Sequence, residues 1–151
     1  MYQRVLIPEE DKHVHRFLWR NLETDKPPDT YMMNVLTFGD KPAPAMAQRA
    51  LQKTAEEGEI VNPEAAQTIK ENTYMDDILD SVNNVEKAKK LTNDIDTILA
   101  NGGFNVKGWQ SNEDLQNGQT EKNEIKVPQC KAEAKVLGVA WNCVKDVLKY
   151  K

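Results

Sequence analysis

From Val85 to Leu99 the apolar side chains recur at the spacing of one helical face: Val85, Ala88, Leu91, Ile95, Ile98 and Leu99. That stripe predicts an amphipathic helix over 84–101, ended by Asn101-Gly102-Gly103, with an apolar side that must be buried against another element. Two further helices are expected upstream. Met46, Ala47, Ala50 and Leu51 share a face of a helix running from about Pro44 to a stop at Gly58. Asn62-Pro63-Glu64 then supplies an N-cap, a proline where no N–H is needed and an acid at the positive helix end, for a helix fading near Asn72.

The remaining apolar runs are short and read as strands. Val5-Leu6-Ile7 stops at Pro8, and the charged stretch from Glu9 to Lys12 suits a turn or short helix. Phe17-Leu18-Trp19 and Tyr31 to Phe38 predict a hairpin closed around Pro27-Pro28-Asp29. Phe104 to Trp109 is a further candidate strand. Ser111 to Thr120 is polar, with an Asn117-Gly118 turn signal, and is expected to be an exposed loop. Ala134 to Trp141 and Val144 to Tyr150 predict two strands turning near Asn142. The implied class is α+β: an antiparallel sheet packed on the helices at 44–57 and 84–101.

With 151 residues the chain fits one domain. No apolar stretch is long enough to span a bilayer and Met1-Tyr2-Gln3-Arg4 lacks the apolar run of a secretory signal, so an intracellular, cytoplasmic protein is expected. The formal net charge of −4 argues against nucleic-acid binding by bulk electrostatics, although Lys122, Lys126, Lys131, Lys135, Lys145, Lys149 and Lys151 crowd the last stretch. Cys130 and Cys143 have no Cys-x-x-Cys spacing and suggest neither a zinc site nor a disulfide framework; both are expected as ordinary thiols.

Chemistry concentrates at Tyr74-Met75-Asp76-Asp77. Residues 73–81 are too short for another helix and fit two strands meeting at a tight turn on Asp76-Asp77. Two carboxylates there offer the hard oxygen ligands that Mg²⁺ prefers, whereas a bare Asp-Asp pair is also ordinary turn chemistry. Other candidates are weaker. His13-x-His15 has no acidic or thiol partner nearby in sequence and is expected on the surface. Asp94 and Asp96 are expected on a solvated helical face, and Trp19, Trp109 and Trp141 as core residues of strands rather than stacking surfaces.

Tyr74-Met75-Asp76-Asp77 followed by Ile78-Leu79 and preceded by a helix resembles motif C of reverse transcriptases, and the surrounding segments resemble the Pao/BEL class of long-terminal-repeat retrotransposons in the family's order. Residues 1–38, with Val5-Leu6-Ile7-Pro8-Glu9-Glu10-Asp11 and Arg16-Phe17-Leu18-Trp19-Arg20, look like the segment after motif A. Residues 39–72, entered through Phe38-Gly39 with Pro44 and Ala47, resemble motif B and its helices; residues 73–109 resemble motifs C and D. An exposed loop is expected over 110–129, and 130–151, with Lys135-Val136-Leu137-Gly138-Val139-Ala140-Trp141, is similar to the motif E hairpin.

The resemblance implies a reverse-transcriptase palm that uses Mg²⁺ held by Asp76 and Asp77, a primer on an RNA or DNA template, and deoxynucleotides, within a retrotransposon polyprotein and in the setting of virus-like particles. It implies that Tyr2, Phe38, Gly39, Tyr74 and Met75 lie against substrate, that Tyr2 sits beneath the nucleotide sugar, that Leu137, Gly138 and Trp141 grip the primer, and that Lys107 protonates pyrophosphate. The family places its lysine next to the tryptophan, and Gly108 intervenes here. Ala43 stands where the family commonly has serine, removing a hydroxyl from motif B. The motif A aspartate is expected ahead of Met1, so the chain reads as a palm truncated at its N-terminus and inactive alone. A non-catalytic remnant or binding module that keeps the fold is the other expectation.

Overall fold

The computed structural model describes residues 1–113, 115, 134–137 and 139–150. The described residues form an α+β protein of three helices and small antiparallel sheets, in two compact units, Met1–Ala50 and Leu51–Lys151. The boundary between them falls within the first helix.

In the first unit, short 3₁₀ turns at Tyr2–Arg4 and Glu9–Val14 flank the Val5-Leu6-Ile7 run. That run makes an isolated bridge, Leu6 to Val35, with the Ile7 N–H donating to Asn34 O and the Leu36 N–H to Val5 O. The predicted hairpin is present as β1 (Arg16–Trp19) and β2 (Asp29–Met32), with Phe17 opposite Tyr31. Its second strand is shorter than the Tyr31 to Phe38 run, because 34–36 turns away to bond with 5–7 and places Ile7 and Leu36 in a core with Ala43 and Ala47. Ala43 is therefore a core residue.

Helix α1 (Ala43–Gly58) matches its expected span, but its inward face is Ala43, Ala47, Leu51 and Ala55, and Met46 points away. Helix α2 (Pro63–Glu71) starts after Asn62 and stops at Asn72, as its punctuation implies. Two strands follow, β3 (Thr73–Tyr74) and β4 (Asp77–Ile78), and then α3 (Val85–Asn101), where the Asn84 side chain accepts from the Lys87 N–H at 2.8 Å. Within the second unit α2 packs on α3. Ile69 and Ile95 are almost wholly buried, and each such side chain stabilises the fold by about 1.5–3 kcal/mol.

The last turns of α1 and α3 come close. A Cβ on Gly58 would lie 2.7 Å from Ile98 Cγ1, and one on Gly102 would overlap the Thr54 side chain. Gly58 is thus a contact residue as well as a stop.

Three expectations need correction. Residues 104–109 form no strand, since no described strand offers them a ladder; Phe104 is buried, its N–H donates to Leu99 O, and Trp109 Nε1 donates to Asp96 Oδ1 at 3.0 Å. The Ala134 to Trp141 run breaks at Leu137, φ +50°, into β5 (Ala134–Val136) and β6 (Val139–Asn142), which pairs with β7 (Val147–Lys149). The described strands form three separate antiparallel sheets in place of one continuous sheet, each strand pairing only with strands adjacent to it in sequence. Most of the expected loop at 110–129 lies outside the described residues.

Candidate functional site

Asp76 and Asp77 stand on a two-residue hairpin. Tyr74 pairs with Asp77, so the loop is Met75-Asp76, one position earlier than the expected Asp76-Asp77 turn, and Asp77 opens β4. Met75 adopts φ +54°, a left-handed conformation that costs a non-glycine residue about 1–2 kcal/mol. Asn21, Leu22, Leu137 and Asp146 also take positive φ, so at Met75 it marks a tight turn. Tyr74, Met75, Asp76 and Asp77 are all exposed.

The hairpin is tied to α2 by two hydrogen bonds: Thr73 Oγ1 donates to Ile69 O at 2.7 Å and Thr68 Oγ1 to Asp80 Oδ2 at 2.9 Å. The Leu79 N–H donates to Asn72 O at 3.0 Å, extending the hairpin's own ladder. Nearby, Lys87 pairs with Glu64 at 2.7 Å. The hydrogen bond that Lys87 donates to Glu64, and then the charge of Glu64, raise the Lys87 pKa, with a smaller contribution from the charge of Asp80.

Strand β4 leads into a cleft of about 810 Å³ in the second unit. Its lining includes Ile78, Leu79, Leu91, Trp109, Leu137 and Trp141. Two of the three expected primer-grip residues, Leu137 and Trp141, thus line the same cleft as the strand leaving Asp77; Gly138 lies outside the described residues. Trp141 is half-buried, and its Nε1 donates to Asp146 Oδ1 at 3.0 Å. Lys107 is exposed on the irregular segment between Phe104 and Trp109.

In the first unit, Tyr2 meets Phe38 edge to face, with ring centroids 5.0 Å apart. Phe38 is exposed, and Gly39 has φ +97°, a conformation that favours glycine. Beside them Asp40 accepts from Thr37 Oγ1, and its Oδ2 lies 3.3 Å from His15 Nδ1. Three residues the resemblance puts against substrate are therefore neighbours there.

Several expectations change on contact with the structure. His15 has an acidic partner, Asp40, reached through the fold and not through sequence. Asp96 is half-buried, not solvated: burial raises its pKa, and the hydrogen bond from Trp109 lowers it by less. Trp19 is 52% exposed, its Nε1 donating to Asn21, and is no core residue. Cys143 is buried and disulfide-bonded, where a free thiol was expected; its partner lies outside the described residues. Cysteine spacing carries no information about which thiols the folded chain brings together.

Sequence reading missed Thr68 and Asp80. The available signal was a threonine on the α2 face formed by Ala65, Ala66 and Ile69, since a buried hydroxyl needs a partner. Among the described residues, no group of three or more His, Cys, Asp or Glu could hold a metal ion. Asp76 and Asp77 match Mg²⁺ in donor chemistry, and one or two carboxylates are what it usually takes from protein besides water and substrate phosphates. No described helix is long and apolar enough to cross a membrane. No known protein-family model matches the chain, and no curated protein does.

Proposed function

We propose that this chain is part of the palm of a reverse transcriptase from a Pao/BEL-type retrotransposon, contributing the Asp76-Asp77 carboxylates to RNA-directed DNA synthesis. The observation that carries the reading is the hairpin: two adjacent aspartates at an exposed two-residue turn, with Met75 in a left-handed conformation. The ordered neighbouring segments support it, as does the cleft shared by β4, Leu137 and Trp141.

In this reading Asp76 and Asp77 would hold Mg²⁺, which would supply activation of the primer 3′-hydroxyl and charge stabilisation of the leaving pyrophosphate. Template, primer and deoxynucleotide are the substrates. Leu137 and Trp141 bear on the primer end, and Tyr2, Phe38 and Gly39 bear on the nucleotide. Lys107, exposed and next to Gly108, gives its proton to pyrophosphate. Two-metal chemistry of this kind requires a further carboxylate besides Asp76 and Asp77.

The test is primer extension with Mg²⁺ and deoxynucleotides. A longer chain that carries a motif A aspartate together with these 151 residues is expected to be active. Asp76→Asn should abolish that activity. Extension that survives Asp76→Asn, or a longer chain that never extends, would count against the proposal.

A second reading is a non-catalytic remnant or binding module that keeps the fold. Stop codons or frameshifts directly upstream of Met1 in genomic DNA would support it. An intact in-frame aspartate there would not.

A further inference from the structure

We propose that Asp80, clamped by Thr68, is the residue that positions the Asp76-Asp77 hairpin. The proposal rests on the polymerase reading for the use of that hairpin, but not for the clamp itself.

The hairpin needs an external anchor, because its ladder has only two residue pairs, Thr73 with Ile78 and Tyr74 with Asp77, extended by one bond from the Leu79 N–H to Asn72 O. A two-stranded hairpin is marginal in water even when longer. Nor do the described strands supply a neighbour, since β3 and β4 form a sheet of their own. What directs the turn is therefore its attachment to α2.

One of the two attachments ends on a backbone carbonyl, Ile69 O. The other joins two side chains and so depends wholly on their identity. Thr68 is 6% exposed, and its hydroxyl meets Asp80 Oδ2 from a largely apolar helix face. Asp80 Oδ1 accepts the Ser81 N–H at 2.7 Å. With both oxygens engaged, the carboxylate is fixed in orientation, and hydrogen bonds to a charged acceptor are about twice as strong as neutral ones. Asp80 lies three residues after Asp77, on the outgoing arm of the hairpin. Releasing it frees that arm to pivot about the Leu79 amide bond, moving the two aspartates relative to α2.

Asp80 touches no reacting group in this account; it acts through Asp76 and Asp77. Thr68→Val is the informative substitution because it removes the hydroxyl at almost constant shape and leaves every charge in place. Replacing Asp80 would also weaken cation binding simply by deleting a negative charge.

The experiment uses the 151-residue chain, with Mn²⁺ as the probe and the amide signals of residues 74–79 as the readout. Thr68→Val is expected to weaken Mn²⁺ binding at Asp76 and Asp77 and to speed exchange of the Leu79 amide, each about tenfold, the size of one lost charge-assisted hydrogen bond. Amides of α3 should be unaffected. Thr68→Ser, which keeps the hydroxyl, should restore both properties. A Thr68→Val chain whose Mn²⁺ affinity and Leu79 exchange both equal those of the parent overturns the clamp, whatever the fate of the polymerase reading. A clamp that responds as expected in a chain whose longer form shows no Asp76-dependent extension would instead overturn the polymerase reading and leave the clamp standing.

Discussion

Single residues here do work that their letters do not announce. Asp96 sits on a helix whose periodicity marks it as solvated, yet the fold half-buries it beneath Trp109. Burial raises its pKa from 3.8, so the folded state holds the proton more tightly than the unfolded chain does. The stability contributed by protonated Asp96 is complete below the unfolded pKa and is lost as pH rises through the folded one. Thermal denaturation followed upward from pH 3.8 should therefore show a decline that Asp96→Asn removes, since asparagine still accepts from the indole and does not titrate. Equal pH slopes for the two proteins would contradict this. The pairing of Thr68 with Asp80 was equally illegible, because a contact between residues twelve apart depends on how α2 and the hairpin meet.

At the scale of elements, punctuation and packing can be separated experimentally. Both α2 and α3 begin with asparagine, but only Asn84 makes a side-chain cap. Asn84→Ala should cost about 1 kcal/mol in urea denaturation, and Asn62→Ala only a few tenths. The reverse order would show that the caps are assigned to the wrong helix. Gly58→Ala tests packing against propensity: alanine is favoured in a helix by about 1 kcal/mol, but its Cβ would meet Ile98 at 2.7 Å. Overpacking typically costs about 1–3 kcal/mol, so net destabilisation is expected. A stabilised variant would mean that Ile98 yields without cost. The helices themselves were readable to within a residue or two, because period and caps are local properties. The strand at 104–109 was not, because a strand exists only if another strand is there to accept its hydrogen bonds.

For the whole molecule, charge sets an expectation that the motifs do not. A net charge of −4 leaves little electrostatic attraction for a polyanion. The isolated chain should bind a primer–template more weakly than about 1 µM at 150 mM salt, as read by fluorescence anisotropy, and tight binding with a steep salt dependence would refute this. By itself the sequence determined the α+β class, the three helices with their ends, and the presence of a hairpin at Asp76-Asp77. All of these follow from spacing along the chain and from the conformational limits of Gly, Pro and Asn. Only the tertiary structure decided that the strands divide among three sheets, that the turn centres on Met75-Asp76, that Tyr2 meets Phe38, and that Asp80 is held by Thr68. Those outcomes depend on which surfaces reach each other in space, and burial, ladder pairing and hydrogen bonding between distant residues have no signature in local sequence.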